Sequence, residues 1–97
     1  MLPLARLLRE IKHHDTDYDQ RYLLVVQALA LAVECGYQAG IRIDARDADW
    51  PVVYIELPTG QVSWHMLAHQ REWDGHDTPE KYARVERFCA QFGGESL

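Results

Sequence analysis

The stretch from Leu23 to Val33 is apolar at every position except Gln27. Read as a helix, its Leu23, Leu24, Val25, Val26, Ala28, Leu29, Leu31 and Val33 occupy almost the whole circumference instead of one stripe. Such a helix has to be covered on more than one side. It is also far short of the roughly 20 residues that span a bilayer. Other elements of the chain must therefore pack around it, and a helix on one side with a sheet on the other meets that need.

Those elements can be read from spacing. A first helix is expected over 3–12, because Leu4, Leu7, Leu8 and Ile11 recur at three- and four-residue intervals and Pro3 suits the first turn. The apolar helix follows over 18–35. Asp17 and Gln20 form a capping box at its start, and Gly36 with Gly40 ends it and begins a turn. Strands are expected over 41–45, 52–57 and 61–66. Val53, Ile55 and Leu57 alternate against Val52, Tyr54 and Glu56, and Val62, Trp64 and Met66 against Gln61, Ser63 and His65. Between the last two strands, Pro58 pre-sets a turn and Gly60 permits positive φ. A last helix is expected over 78–92. Thr78 caps it, Pro79 and Glu80 suit its first turn, and Tyr82, Val85, Phe88, Cys89 and Phe92 make its stripe. The order gives one α+β domain over 1–97, with two layers and a three-stranded antiparallel sheet.

Composition removes several function classes. Fifteen acidic against ten basic residues give a net charge of −5, and no Lys/Arg cluster offers a footprint for phosphates. Direct nucleic-acid binding is therefore not expected, nor is a membrane span. The start of the chain has no basic region followed by a secretory apolar run. Cys35 and Cys89 are the only cysteines. Both read as reduced, small core residues of a protein in the cytoplasm of a bacterial host. No glycine-rich phosphate cradle or paired-carboxylate motif is present, so no cofactor is expected.

The densest chemistry lies between Thr59 and Arg84, which hold two of three tryptophans and three of five histidines. Gly60-Gln61-Val62-Ser63-Trp64-His65, then Trp73-Asp74-Gly75-His76, then Glu80-Lys81-Tyr82-Ala83-Arg84 resembles the WDGH domain of small bacteriophage and bacterial proteins. The resemblance brings no established activity. It covers 59–84, and residues 1–50 show no match. Asp77-Thr78-Pro79 stands where Thr-Thr-Glu is more usual; Pro79 preserves the helix start but removes a carboxylate.

Three readings compete for this corner. In the first it is a clasp: Asp74 or His76 satisfies free N–H groups at the last helix, Trp64 and Trp73 pack that helix on the hairpin, and Lys81 or Arg84 finds a carboxylate. In the second, His65, His69, His76 and Asp74 hold a divalent metal, although no HExxH motif supports that spacing. In the third, His76 with Asp74 forms an acid–base pair for Ser63 or Thr78. Glu80-Lys81 and Glu86-Arg87 read as solvated surface. Two acidic groups, Asp15, Asp17 and Asp19 at a helix start and Asp44, Asp47 and Asp49 in a loop, serve as caps and turns or as an acidic patch that competes with nucleic acid.

The leading expectation is a non-catalytic interaction protein that binds a host or viral protein. An inhibitor of a bacterial defence complex is one version. Its expected surface is the hairpin edge and the following turn, comprising Trp64, His65, Trp73, Asp74, His76, Tyr82 and Arg84. The acidic patch is the second choice. An uncovered apolar face also leaves room for a second copy of the chain. The alternative is a metal-dependent or nucleotide-processing enzyme centred on His65, His69, His76 and Asp74.

Overall fold

Leu4, Ala5, Leu8 and Ile11 make the buried stripe of the first helix, α1 (Pro3–His13). In the computed structural model, residues 3–14, 18–43, 51–66 and 78–93 are described. Helix α2 (Tyr18–Glu34) follows, then strands β1 (Ala39–Ile43), β2 (Pro51–Leu57) and β3 (Gly60–His65), and helix α3 (Thr78–Phe88). The strands form one antiparallel sheet in the order β1-β2-β3. The fold class is α+β, as the element order predicts.

One face of the sheet carries the core. Val53, Ile55, Leu57, Val62 and Trp64 point to the same side and join the buried residues of all three helices. Helix α2 lies over β1 and β2, α3 lies over β3, and α1 packs against both helices. So α2 does sit between a helix and the sheet. Among the described side chains of α2 only Arg21, Leu24, Val25, Ala28 and Ala32 are buried, however, and Tyr22, Leu23, Val26 and Val33 remain exposed. Cover on more than one side is therefore met by α1 and the sheet, and it leaves this outward face bare. On the opposite face of the sheet, the cross-strand partners Val52 and His65 are also buried.

The end of α2 is built by glycine. Gly36 adopts φ +87°, its N–H donates to the Val33 carbonyl at 3.0 Å, and the Tyr37 N–H donates to Ala32 at 3.0 Å. This pair of bonds is a Schellman cap, and the left-handed residue in it favours glycine. Tyr37 then meets the Phe88 ring edge-on at 6.0 Å, which ties the cap to α3. Gly40 does not join the turn. It lies inside β1, which starts at Ala39, two residues earlier than predicted. Its partner across the ladder is Tyr54, whose ring lies 3.5 Å from where a Cβ would stand, so the aromatic covers the bare backbone.

Two further differences concern the ends of elements. The last helix is α-helical only to Phe88 and then widens into a π-helical turn, Cys89–Gly93, where Phe92 stacks on Phe88 at 5.3 Å and is itself exposed. Cys35 is exposed instead of buried, because it falls at the end of α2 beyond the core stripe. Cys89 is buried and its thiol donates to the Ala5 carbonyl at 3.6 Å. Burial raises the Cys89 pKa above its ordinary 9.0, against an opposing pull from Arg9. Residues 44 and 45 and the Asp17 of the expected capping box lie outside the described residues.

Candidate functional site

The free margin of β3 is the chemical centre of the described structure. In an antiparallel ladder, alternate residues direct their N–H and C=O groups to opposite neighbours. Met66 N–H donates to Pro51 at 3.1 Å, which fixes Trp64 and Val62 as the residues bonded to β2. The carbonyls of Gln61, Ser63 and His65 therefore point away from the sheet.

Each of those three carbonyls accepts from a cation. Arg84 Nη1 donates to Gln61 at 2.9 Å, Lys81 Nζ to Ser63 at 3.2 Å, and Arg21 Nη1 to His65 at 2.8 Å. Two of the cations come from α3 and one from α2. Helix α3 runs antiparallel to β3, so residues three apart on the helix serve carbonyls two apart on the strand. The helix rises about 4.5 Å over that interval and the strand about 6.7 Å. The long arms of Lys81 and Arg84 take up the difference.

Lys81 and Arg21 are each only 1% exposed. A buried ammonium or guanidinium is costly unless it is hydrogen-bonded. Lys81 also lies over the rings of Trp64 and Tyr82, at 5.4 and 5.2 Å from their centroids, where the ring faces attract a cation. Trp64 is fully buried between the sheet and α3, and its indole N–H reaches the Tyr82 hydroxyl at 3.4 Å. At the hairpin, Thr59 Oγ1 donates to the Arg84 carbonyl at 2.8 Å. Arg84 Nη2 also pairs with Glu80 at 3.6 Å on its own helix. Gly60 has φ +130°, and an added Cβ would come within 2.9 Å of Arg84 Cδ. The turn, the strand and the helix are thus bolted together through Arg84.

Several expected site residues change role in this arrangement. Trp64, His65 and Tyr82 are buried, so they hold the domain together and offer no surface anchor. Arg84 is half-buried against the hairpin. Lys81, expected as solvated surface, is inside because it lies four residues before Val85 on the buried stripe of α3. Lys81 donates to a main-chain carbonyl, and Arg84 is the one of the pair seen to meet a carboxylate, that of Glu80. Glu86 stays at the surface as expected, and there it pairs with Arg9 of α1 at 3.1 Å. Sequence reasoning did not single out Arg21. The signal was present, since Arg21, Val25, Ala28 and Ala32 share one stripe, and a cation in that stripe has to find a buried acceptor.

Trp73, Asp74, His76 and His69 lie outside the described residues, as do Asp15, Asp17, Asp44, Asp47, Asp49 and the side chain of Thr78. Asp19 is exposed at the start of α2. Of the expected metal set only His65 is described, and no three His, Cys, Asp or Glu side chains converge among the described residues. No described helix is long and apolar enough to cross a membrane.

The two margins of the sheet differ sharply. Glu56 N–H donates to Gln38 at 2.8 Å, which makes Gly40 and Arg42 the residues of β1 bonded to β2. The N–H and C=O groups of Ala39, Ile41 and Ile43 therefore face outward, and no described element pairs with them. Their side chains share the face of Val53, yet Ile41 is 64% and Ile43 52% exposed.

A family model described as the WDGH domain matches residues 6–88. The match therefore takes in α1, α2 and β1 as well as the 59–84 segment. No curated protein and no solved structure matches the chain.

Proposed function

Since the chain belongs to the WDGH-domain family, which brings no established activity, we propose its function from its own geometry: it is a non-catalytic protein-binding module. Its contact surface is the side formed by β1 and the outward face of α2. The observation that carries this reading is the asymmetry of the sheet. One margin is closed by Arg84, Lys81 and Arg21, and no described element closes the other.

An open strand edge beside exposed apolar side chains is a template for strand addition and for apolar docking. Tyr22, Leu23, Val26 and Val33 on α2 with Ile41 and Ile43 on β1 supply the apolar part. Exposed apolar patches mark interaction sites on soluble domains. The described polar groups of the Trp-rich corner serve internal carbonyls, which favours the clasp reading there. The family's setting in small bacteriophage and bacterial proteins makes a host or viral protein, a second copy of the chain included, the partner class, with an inhibitor of a bacterial defence complex as one concrete form.

A photo-reactive amino acid placed at position 41, position 23 or the exposed position 87 tests this in the host cell. Protein adducts are expected from 41 and 23 and not from 87. Equal labelling from all three sites, or none from any, ends the reading.

A further inference from the structure

We infer that the occupant of the β1 edge is a second copy of this chain, joined antiparallel across a two-fold axis through Ile41. This rests on the reading of the β1 and α2 side as a contact surface, and it names the partner there.

The strand is most fully self-complementary in one register. Its five residues run from Ala39 to Ile43, so its midpoint is Ile41. Ile41 is also one of the residues whose N–H and C=O point outward. An axis at Ile41 makes it exchange both bonds with its own mate. Ala39 then meets Ile43 of the second copy with the same bonding geometry. Every outward N–H and C=O of β1 finds a partner, and the sheet doubles across the seam. A two-fold axis at Gly40 would leave the outward groups of Ile43 without a mate, and one at Arg42 would leave those of Ala39 without one and set Arg42 against Arg42.

Side chains agree with that register. On the core face, the small Ala39 lies opposite the large Ile43 of the mate, and Ile41 lies beside its mate. On the other face, Arg42 falls opposite Gly40 and not opposite another Arg42, so no like charges meet directly. Arg42 is already drawn along its own sheet, over the Tyr54 ring at 5.2 Å and onto Gln61 Oε1 at 3.0 Å, and leaves the seam clear. Gln61 in turn donates to Glu56.

The contact does not end at the strand. Helix α2 lies over β1, on the side where Ile41 and Ile43 project. Joining the strands brings the two α2 helices alongside the seam, with Tyr22, Leu23, Val26 and Val33 on their outward faces. Where those faces meet, they add apolar area toward the roughly 800 Å² per partner of a standard interface. The closed β3 margin cannot compete for the same pairing, because its outward carbonyls already accept from Arg84, Lys81 and Arg21.

Sedimentation equilibrium of the full chain tests the proposal, with circular dichroism confirming that each variant is folded. The wild type is expected to be a dimer. Ile41→Lys and Ile41→Glu each set like charges against themselves at the axis and are expected to be monomers. Mixing the two variants is expected to restore a dimer, since Lys then faces Glu. A wild type that is monomeric at every concentration overturns the proposal, as does a dimer that both variants leave intact or a mixture that stays monomeric. A monomeric wild type that still gives photo-adducts at position 41 would assign the edge to a different protein and leave the binding-module reading standing.

Discussion

The Lys81 ammonium, 1% exposed, stands 3.2 Å from the main-chain carbonyl of Ser63 and over the ring of Trp64. A single side chain thereby closes the middle of a strand edge and seats a helix. Replacing Lys81 with Met keeps most of the stem and removes the donor. The Ser63 carbonyl then loses its charged partner, at a cost of about 1.5–3 kcal/mol. Urea unfolding should show the midpoint falling with little change in slope. An unchanged midpoint would mean that the bond is idle.

Gly60 and Gly40 should respond differently to alanine. At Gly60 the new Cβ would meet Arg84 Cδ at 2.9 Å, and φ is +130°. Strain of this kind costs about 1–3 kcal/mol. At Gly40 the Cβ would make ordinary contact with Tyr54 at 3.5 Å and φ is not positive. There the change should stay within about 1 kcal/mol. Thermal unfolding of the two variants side by side checks the contrast, and similar shifts for both would contradict it.

Trp64 and Tyr82 separate packing from hydrogen bonding. Their polar contact is long, at 3.4 Å, whereas the indole is completely buried. Tyr82→Phe should therefore cost no more than about 1 kcal/mol. Trp64→Ala should cost about 3–5 kcal/mol through the cavity it leaves. A larger loss for Tyr82→Phe than for Trp64→Ala would show that the hydrogen bond dominates.

The two thiols should be distinguishable. Cys35 is exposed and Cys89 is buried. A thiol reagent should label Cys35 in the native protein and Cys89 only as the chain unfolds. The raised Cys89 pKa fixes the sign of a pH effect. Above the ordinary 9.0 the unfolded chain releases this proton while the native state keeps it. The native state then binds more protons, so stability falls as pH rises from there through the native pKa. Below that window the contribution is fully present. Cys89→Ala should flatten this alkaline limb in urea titrations run across the range.

Much of the fold is legible in the sequence, for physical reasons that vary by element. The α1 stripe, the hairpin turn at Pro58 to Gly60 and the Pro79 helix start are local signals, and local signals survive into the structure. The outward face of α2 is not legible, because apolar patterning shows that cover is needed without showing where it falls. Lys81 illustrates the harder limit. Beside Glu80 it reads as surface charge, and only the neighbouring β3 carbonyl makes burial affordable. The same holds for Arg21, whose acceptor lies 44 residues away in the chain. Among the described residues of the expected site, Trp64, His65 and Tyr82 accordingly belong to an internal lock, and the proposed contact surface lies at the opposite margin of the sheet.

The helix that locks the β3 margin is made after the strand it protects. While the ribosome has delivered Ser63 but not yet Arg84, the nascent sheet has two bare borders. Slow translation across that interval prolongs an aggregation-prone state. A synonymous-codon change that delays the emergence of α3 should lower the yield of intact protein, although it alters no residue.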